Sequence, residues 1–493
     1  MPHARDLILT VDVGTGSVRA GLVTGAGDIV ALASVAHDTS YPRHGWVEQR
    51  PADWWNGAVQ AIREVLAMAD PSDTVAAVVC CGQMHAPVLI DAAGALVLHS
   101  VPLWNDKRAT KVAADLNAGP IASVNPATSA WPGVKLHWLA QTDPATLARA
   151  VLLLMPKDYL NFRLTGEAAM DWSEAGSSFL SDPAQRTWSA QAARNLGLDP
   201  GILPPLLPST ARLGRVTRDA AAATGLPQGV PVLAGAGDFP AAILGSGVTE
   251  PGQVSDITGT SFLLTRLVPE PLRHQSVMNV AMASSGWGAF AVVDAAGDAV
   301  RWASRALDRE QRSFNALSRA AATVPAGCEG LVFLPYLTGE RLGQGEASRA
   351  AFVGLTARHS AAHLHRAVME GVVLAMRDAF SPIAASTGVP DRIISAAGGA
   401  RSDLWLQIKA DVLNAVIVPT EYPESGIIGC ACIGFAGLGL FGSASEAART
   451  LVRYREPIMP DPDRRARYDD QFAAFRDIRR IMAPINDITG HLT

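Results

Sequence analysis

The 493-residue sequence contains few cysteines and no run of Lys or Arg residues. The five cysteines are odd in number, lie in apolar surroundings and lack Cys-x-x-Cys spacing, which argues for reduced thiols in a cytoplasm and against structural zinc. Net charge is −5, so nucleic acid and anionic membranes are not expected partners. The cysteines are Cys80, Cys81, Cys328, Cys430 and Cys432.

Long uncharged segments are also scarce, with one exception. Residues 425–445 carry no charge over 21 positions, which is long enough to span a bilayer. Six of these positions are glycine, which favours a buried helix packed through small residues over a membrane span. The N-terminus runs directly into an apolar strand pattern, so no signal peptide is expected.

The length predicts two domains or three, since one core does not grow to this size. A turn-rich stretch at 245–252 suggests a boundary there, giving domains 1–247 and 248–493. Apolar periodicity predicts the elements within them. The predicted strands are 7–11, 17–24, 29–36, 74–80, 230–234 and 392–395; the predicted helices are 51–68, one from about 299, 360–380 and 461–480.

Two similar turns occur, one in each half of the chain. Each follows an apolar run and consists of small residues whose backbone N–H groups are accessible, an arrangement that forms concave anion sites. One such turn alone is explained by a simple hairpin, but the pair favours a phosphate clamp divided between two domains. The turns are Asp12-Val13-Gly14-Thr15-Gly16-Ser17 and Asp256-Ile257-Thr258-Gly259-Thr260-Ser261.

Further short motifs identify a family. With the first turn and Arg19, they resemble the FGGY carbohydrate kinases along nearly the full length, in the family's order and at plausible spacing. Residues 350–370 also fit that family's C-terminal signature. The motifs are Gly82-Gln83-Met84-His85, Leu103-Trp104-Asn105-Asp106-x-Arg108, Met155-Pro156-Lys157-Asp158-Tyr159-Leu160, Gly237-Asp238, Phe333-Leu334-Pro335-Tyr336 with Gly339-Glu340-Arg341, and Gly398-Gly399-Ala400-Arg401-Ser402.

This resemblance implies an α/β fold of two ribonuclease-H-like (actin-like ATPase) domains with an active-site cleft between them. Residues 1–247 would bind the sugar and catalyse, and residues 248–493 would bind ATP. The implied reaction is ATP- and Mg²⁺-dependent phosphorylation of a sugar such as D-xylulose or a related pentulose. The expected partners are therefore a small sugar and ATP, with a homodimer as a candidate assembly.

Two aspartates are the candidate catalytic residues. Asp12 is a bare carboxylate beside a phosphate turn and suits Mg²⁺, which binds one or two carboxylates plus water and phosphate oxygens; a turn-forming Asp is the alternative. Asp238 follows an apolar strand among small residues, and the resemblance implies that it is the general base for the sugar hydroxyl. Asp238 also suits the N-terminus of a helix, a role compatible with that of a base.

The resemblance assigns binding roles to further residues. Met84 and His85 would contact the sugar, although a histidine after a buried strand is commonly a core residue. Trp104 and Asp106 would line the same pocket, with Asp238 and Phe239. The implied ATP-binding residues are Thr15, Gly16, Ser17 and Arg19 at the β- and γ-phosphates, Gly259 and Thr260 in the second phosphate loop, and Gly398, Gly399 and Asp403 around adenosine. Arg401 is equally consistent with a surface charge and with an ATP contact.

The chain also departs from the family pattern. Phe239 stands where the family carries Asn or Gln, so a polar sugar contact is lost and an apolar wall is offered. Residues 342–345 replace a loop containing Pro and His, and Ala130 and Thr142 depart from an earlier signature. Another ketose, a polyol or an aldonate is therefore an alternative substrate. A non-catalytic actin-like nucleotide switch is a further alternative, disfavoured by Asp238 and the Met84-His85 pair.

Overall fold

The computed structural model describes residues 6–119, 123–307, 313–340 and 347–490. The chain forms two compact units. Unit 1 comprises Met1–Thr249, Asn279–Trp287 and Ser425–Val452, and unit 2 comprises Glu250–Met278, Gly288–Glu424 and Arg453–Thr493. The chain first passes from unit 1 to unit 2 after Thr249, two residues after the predicted boundary. Residues 425–452 also belong to unit 1, although the prediction placed them in the C-terminal domain.

The elements of the described residues are numbered in chain order. The strands are β1 (Asp6–Val13), β2 (Ser17–Val23), β3 (Ile29–Ala36), β4 (Glu48–Gln49), β5 (Thr74–Gly82), β6 (Val88–Ile90), β7 (Val101–Pro102), β8 (Leu152–Leu154), β9 (Met170–Asp171), β10 (Ser181–Asp182), β11 (Thr187–Trp188), β12 (Leu206–Leu207), β13 (Arg212–Arg215), β14 (Pro231–Gly237), β15 (Val254–Thr258), β16 (Phe262–Val268), β17 (Met278–Ala281), β18 (Trp287–Val293), β19 (Val332–Leu334), β20 (Ala351–Val353), β21 (Arg392–Ala396) and β22 (Val416–Pro419). The helices are α1 (Pro51–Met68), α2 (Thr110–Asn117), α3 (Pro132–Thr142), α4 (Pro144–Leu147), α5 (Pro156–Thr165), α6 (Trp172–Ala175), α7 (Ala190–Asn195), α8 (Arg218–Thr224), α9 (Asp238–Gly245), α10 (Gly297–Leu307), α11 (Phe314–Ala322), α12 (Ala361–Thr387), α13 (Asp403–Leu413), α14 (Ser425–Gly437), α15 (Ala444–Leu451) and α16 (Arg465–Gly490).

Unit 1 is built on a six-stranded sheet with the order β13-β14-β5-β1-β2-β3. β1 pairs with β2 antiparallel and with β5 parallel, and β5 pairs with β14 parallel. The central strand β1 is buried at nearly every position, whereas the edge strand β3 alternates buried and exposed residues. This difference is the one expected between a strand covered on both faces and an edge strand. The predicted meander 7–36 is confirmed.

Helices cover the unit 1 sheet. α1 packs against β2 and β3, and α14 packs against β1, β5 and α9. The α9–α14 contact needs glycine on both sides, because a Cβ on Gly245 would lie 1.8 Å from the Ser425 carbonyl oxygen and one on Gly429 would lie 1.9 Å from the Ala241 carbonyl oxygen. The first 13 residues of the uncharged stretch, Ser425–Gly437, are therefore the predicted buried helix, while residues 438–443 lie outside any helix. Among the described residues, no helix is long and apolar enough to cross a membrane.

The second six-stranded sheet has the order β17-β18-β16-β15-β21-β22. β15 pairs with β16 antiparallel and with β21 parallel, and β21 pairs with β22 parallel. The long helix α12 continues through Pro382 to Thr387, beyond its predicted end at 380, and buries Phe380 and Ile383 on either side of the proline. Proline normally ends a helix. Here the burial of Phe380 and Ile383 favours continuation of the helix. Arg341 and the departing residues 342–345 lie outside the described residues.

Candidate active site

The first turn connects β1 and β2 in unit 1. The Gly14 amide donates to the Ser17 carbonyl at 3.0 Å, and the Thr15 carbonyl accepts from Gln49 Nε2 at 2.7 Å. The Gly16 carbonyl accepts from the His37 amide at 3.3 Å. Thr15 and Gly16 are exposed at the tip. These bonds fix the turn through its carbonyl groups and leave its tip accessible, which suits the predicted phosphate contact.

Asp12 lies at the end of β1 and is buried, with 4% of its surface exposed. Its Oδ2 accepts from Arg19 Nη2 at 2.7 Å across the β1–β2 ladder. Its Oδ1 is buried and has no hydrogen-bond partner among the described residues. No cluster of three or more metal-ligating side chains occurs in the described ranges. A single carboxylate with one oxygen that no described residue binds fits Mg²⁺, which takes its remaining ligands from water and phosphate.

Asp238 is the first residue of α9 and follows directly after β14. Its Oδ1 accepts from the Phe239 amide at 2.7 Å. The predicted alternative, Asp238 as the helix N-cap, is wrong, because Gly237 holds the N-cap position and Asp238 is already inside the helix. Loss of hydration, reinforced by the negative charge of Asp12, raises the pKa of Asp238 to about 7. A carboxylate with this pKa takes up a proton near neutral pH, which is the property a general base needs.

A β-bulge precedes Asp238. Leu233 pairs with Val79 and Ala236 pairs with Cys81, so two residues of β14 face one residue of β5. Gly235 has a φ of +72°, and a Cβ there would lie 1.9 Å from the Cys80 carbonyl oxygen. A bulge redirects the residues that follow it. The register therefore determines where Asp238 points, and the cluster of small residues at 234–237 is its signal in the sequence.

Buried polar side chains hold this bulge. The Ala234 carbonyl accepts from Asn161 Nδ2 at 2.9 Å and from Lys157 Nζ at 3.3 Å. Lys157 Nζ also lies 3.1 Å from Asp171 Oδ1, and all three side chains are fully buried. Lys157 belongs to a motif quoted above, but its contact with the strand that leads to Asp238 was not predicted.

The same buried network extends to Gly237, the residue before Asp238. Asp171 Oδ2 accepts from the Ser173 amide at 2.9 Å. Ser173 Oγ in turn accepts from the Gly237 amide at 2.9 Å. Sequence reasoning missed both residues, since the segment 171–173 carries no motif signal by itself and meets β14 only in the folded chain.

Met84 lies against Gly237, the residue before Asp238. A Cβ on Gly237 would lie 2.8 Å from Met84 Cγ and Sδ, so glycine is required for this approach. His85 follows with a φ of +71°, and its carbonyl accepts from Lys135 Nζ at 2.7 Å. Burial lowers the pKa of Lys135 to about 7. The structure thus brings Met84 to the residue before Asp238, and the sugar contacts of Met84 and His85 stay predictions.

Trp104 and Asp106 differ in their surroundings. Trp104 is partly exposed, and its Nε1 donates to Thr15 Oγ1 at 3.2 Å, which joins a predicted sugar residue to the first turn. Asp106 is fully buried, and its two oxygens accept from Arg108 Nε at 2.9 Å and from the Val47 amide at 2.7 Å. These bonds assign Asp106 a structural role of holding Arg108. Its predicted place in the pocket lining stays a prediction.

The second turn connects β15 and β16 in unit 2. The Gly259 amide donates to the Ser261 carbonyl at 2.9 Å. The Thr260 carbonyl accepts from the Ala296 amide at 3.0 Å, and a Cβ on Gly297 would lie 2.1 Å from the Gly259 carbonyl oxygen. The start of α10 therefore supports this turn closely.

The predicted adenosine segment lies next to the second turn. Gly398–Arg401 forms a 3-10 turn before α13, and a Cβ on Gly399 would lie 2.5 Å from Thr258 Cβ. Asp403 is exposed and pairs with Arg455 at 2.7 Å. Arg401 Nη2 lies 3.1 Å from Glu424 Oε1, and the Arg401 side chain is 68% exposed, which accords with a surface charge.

Comparisons with known proteins agree with this architecture. The model of the N-terminal domain of the FGGY family of carbohydrate kinases matches residues 7–245, and that of the C-terminal domain matches residues 255–438. A xylulose kinase of Escherichia coli strain K12 is 30% identical over 97% of this chain and 100% of that protein.

Two solved structures share the fold over nearly the whole chain. A xylulose kinase from Rhodospirillum rubrum has a TM-score of 0.88 at 31% identity, covering 98% of this chain and 100% of the other. A gluconate kinase from Lactobacillus acidophilus has a TM-score of 0.90 at 25% identity, covering 97% and 98%. The protein is thus a sugar kinase of the two-domain actin-like ATPase fold, as predicted. It belongs to the FGGY family of carbohydrate kinases.

Proposed function

We propose that this carbohydrate kinase transfers the γ-phosphoryl group of ATP to a hydroxyl of D-xylulose, forming D-xylulose 5-phosphate, or to a related pentulose. The observation that carries the proposal is the Asp238 carboxylate, which begins α9 directly after the Gly237 that packs against Met84, and whose pKa is raised to about 7. Full-length similarity to proteins named xylulose kinase supports the choice of sugar.

In this proposal Asp238 accepts the proton of the sugar hydroxyl. The hydroxyl oxygen then forms a bond to the γ-phosphorus, and the bond from that phosphorus to the ADP oxygen breaks. Positioned general bases contribute about 10² to 10⁴ in rate. The buried network from Lys157 through Asp171 and Ser173 would keep the base in place, because it holds the bulge and the Gly237 amide.

Asp12 is the proposed Mg²⁺ ligand in unit 1. Its buried Oδ1 has no hydrogen-bond partner among the described residues, while Arg19 already binds Oδ2. Bound Mg²⁺ neutralises charge on phosphate oxygens. Arg19 would contribute a second positive charge there, and the exposed turn residues would contact the β- and γ-phosphates. These turn residues are Thr15, Gly16 and Ser17.

The two nucleotide-binding segments of unit 2 are proposed because they lie next to each other in the structure. Gly259 and Thr260 would face phosphate, and Gly398, Gly399 and Asp403 would face adenosine. The close packing of Gly399 on Thr258 supports treating these segments as one surface.

The sugar contacts are proposed for Met84, His85, Trp104 and Phe239. Phe239 offers an apolar surface directly after the base, so sugars with fewer or differently placed hydroxyls belong in any substrate screen. The similarity to a gluconate kinase adds an aldonate to that panel. A non-catalytic nucleotide switch is not favoured, since the chain belongs to a family of kinases.

We also propose that the protein acts in the cytoplasm. All five cysteines are free and buried, which is consistent with reduced thiols in that compartment.

The deciding experiment measures ADP formation by the purified protein with a panel of ketoses, polyols and aldonates. We expect ADP release that depends on a sugar, on ATP and on Mg²⁺, with D-xylulose among the substrates. ADP release at the same rate without any sugar, or turnover of an aldonate alone, would contradict the proposed substrate class.

A further inference from the structure

A buried ion pair lies next to the second turn of unit 2. Lys409 Nζ of α13 is 2.6 Å from Asp256 Oδ2 of β15, and both residues are fully buried. Ser395 Oγ of β21 donates to the same oxygen at 2.6 Å, and Thr258 Oγ1 donates to Asp256 Oδ1 at 2.5 Å. One carboxylate therefore joins two strands and a helix.

The pair contacts both segments that are candidates for nucleotide binding. Lys409 Nζ donates to Thr258 Oγ1 at 2.9 Å, one residue before Gly259. A Cβ on Gly399 would lie 2.5 Å from Thr258 Cβ and 3.2 Å from Lys409 Nζ. The turn and the glycine segment consequently meet at this ammonium group.

The backbone of the glycine segment is constrained. Ala397 has φ of +63° and ψ of −161°, a conformation that residues other than glycine rarely adopt. Such strain persists where the surrounding structure determines the backbone, and it is common at ligand-binding sites. Ser395, two residues earlier, is bonded to Asp256, so the ion pair anchors the strand that leads into the strained residue.

We propose that Lys409 and Asp256 are positioning residues that fix the second turn relative to the glycine segment and thereby set the affinity for ATP. The inference rests on the proposed nucleotide-binding role of these segments. Buried ion pairs are weak sources of stability, and apolar side chains of similar volume often replace them without loss. The three groups that bond to the one carboxylate, from Lys409, Ser395 and Thr258, instead fix the relative positions of the segments that carry them.

Lys409→Met tests this proposal, because it keeps the side-chain volume and removes the ammonium. We expect the KM for ATP and the Kd for ADP, measured by calorimetry without sugar, to rise about tenfold, which lies in the range by which residues without ligand contact change binding. The KM for the sugar should stay within twofold of wild type. A purely structural role would not separate the two substrates in this way.

A second buried pair in the same unit provides the matched control. Arg366 Nε lies 2.7 Å from Glu370 Oε1, with 4% and 0% of the side chains exposed. Arg366→Met should lower the melting temperature and leave ADP affinity within twofold. A control variant that weakens ADP binding as much as Lys409→Met would overturn the proposal, since general loosening would then explain the effect.

Two further variants keep the test decisive if Lys409→Met does not fold. Asp256→Asn with Lys409→Met leaves no buried charge unpaired, and Thr258→Val removes the hydroxyl that contacts both charged groups. Both should fold and still bind ADP more weakly than wild type. ADP affinities within twofold of wild type would refute the inference while leaving a sugar-dependent kinase intact. A wild-type protein that binds no ADP would instead refute the proposed function as well.

Discussion

The first turn and the second turn share their strand arrangement, yet their aspartates are used differently. Each turn joins a buried strand to an antiparallel partner, β2 or β16, and each buried strand has a parallel neighbour, β5 or β21. Asp12 keeps a buried oxygen without a hydrogen-bond partner among the described residues. Both oxygens of Asp256 are bonded, to Lys409, Ser395 and Thr258. The Asp12 carboxylate is therefore available to a metal ion, whereas the Asp256 carboxylate is occupied by protein groups of unit 2.

The register explains this difference. The last ladder pair before the first turn is Val13 with Val18, and Asp12 stands one residue before it. The last pair before the second turn is Thr258 with Phe262, and Asp256 stands two residues before it. Because side chains alternate between the faces of a strand, a shift of one residue reverses the face. Two sequences that look equivalent therefore place their carboxylates in different environments.

The largest expected effect concerns the base in the unit of the first turn. Asp238→Asn should lower kcat by about 10² to 10⁴, since an amide cannot accept the hydroxyl proton. Binding of ADP, measured by calorimetry, should be unchanged. A mutant kcat within threefold of wild type would remove Asp238 from the mechanism.

The comparison between the turns is tested directly by Asp12→Asn. The Mg²⁺ concentration needed for half-maximal activity should rise about tenfold or more, as expected when a metal site loses a partner. An unchanged Mg²⁺ titration and an unchanged rate would exclude Asp12 as the ligand.

Asp256→Asn is the matched substitution in the second turn. Its Mg²⁺ titration midpoint should equal that of wild type, because the Asp256 oxygens bond to protein groups. Its folding free energy should fall by about 3 to 5 kcal/mol, since Lys409 is left as an unpaired buried charge. Chemical denaturation measures this loss. A shifted Mg²⁺ midpoint here would abolish the distinction between the two aspartates.

A pH profile distinguishes the environment of Asp238 from that of an ordinary exposed carboxylate. The pKa of Asp238 is raised to about 7, so the carboxylate form that accepts a proton is lost as pH falls through that value. At saturating ATP and Mg²⁺, kcat/KM for the sugar should fall about tenfold per pH unit below about 7. A profile that is flat down to pH 5 would contradict the assignment. The residual activity of Asp238→Asn should lack this limb.

The smallest expected effect concerns Phe239. Phe239→Asn should raise kcat/KM for D-xylulose relative to the preferred sugar by about tenfold or less, because an apolar wall discriminates only modestly. Phe239→Leu keeps the wall apolar and should preserve the wild-type ratio. A wild-type enzyme that is already selective for D-xylulose, and is harmed by Asn, would show that Phe239 does not set specificity.

Local patterns sufficed for much of the fold. Helix α1 has the predicted bounds, and strands β1 to β3 agree to within a few residues, because apolar periodicity and turn residues determine them locally. The small residues at 234–237 mark where the bulge at Gly235 lies, but the bulge itself could not be predicted from them, since it depends on the register against β5. Lys157 was visible as part of a motif, but its contact with Ala234 joins residues far apart in sequence.

Unit 1 takes in the late segment Ser425–Val452, and this has a consequence for how the protein is made. Helix α14 packs against β1, and a Cβ on Gly434 would lie 2.8 Å from Ile8 Cγ2. Domains generally fold as they leave the ribosome, the N-terminal one first. Here the side of the unit 1 sheet that contains Ile8 cannot receive its covering helix until α14 has been synthesised. The apolar core on the other side of β1 consists of residues within 7–232, so only the side that α14 covers must wait through nearly the whole of translation.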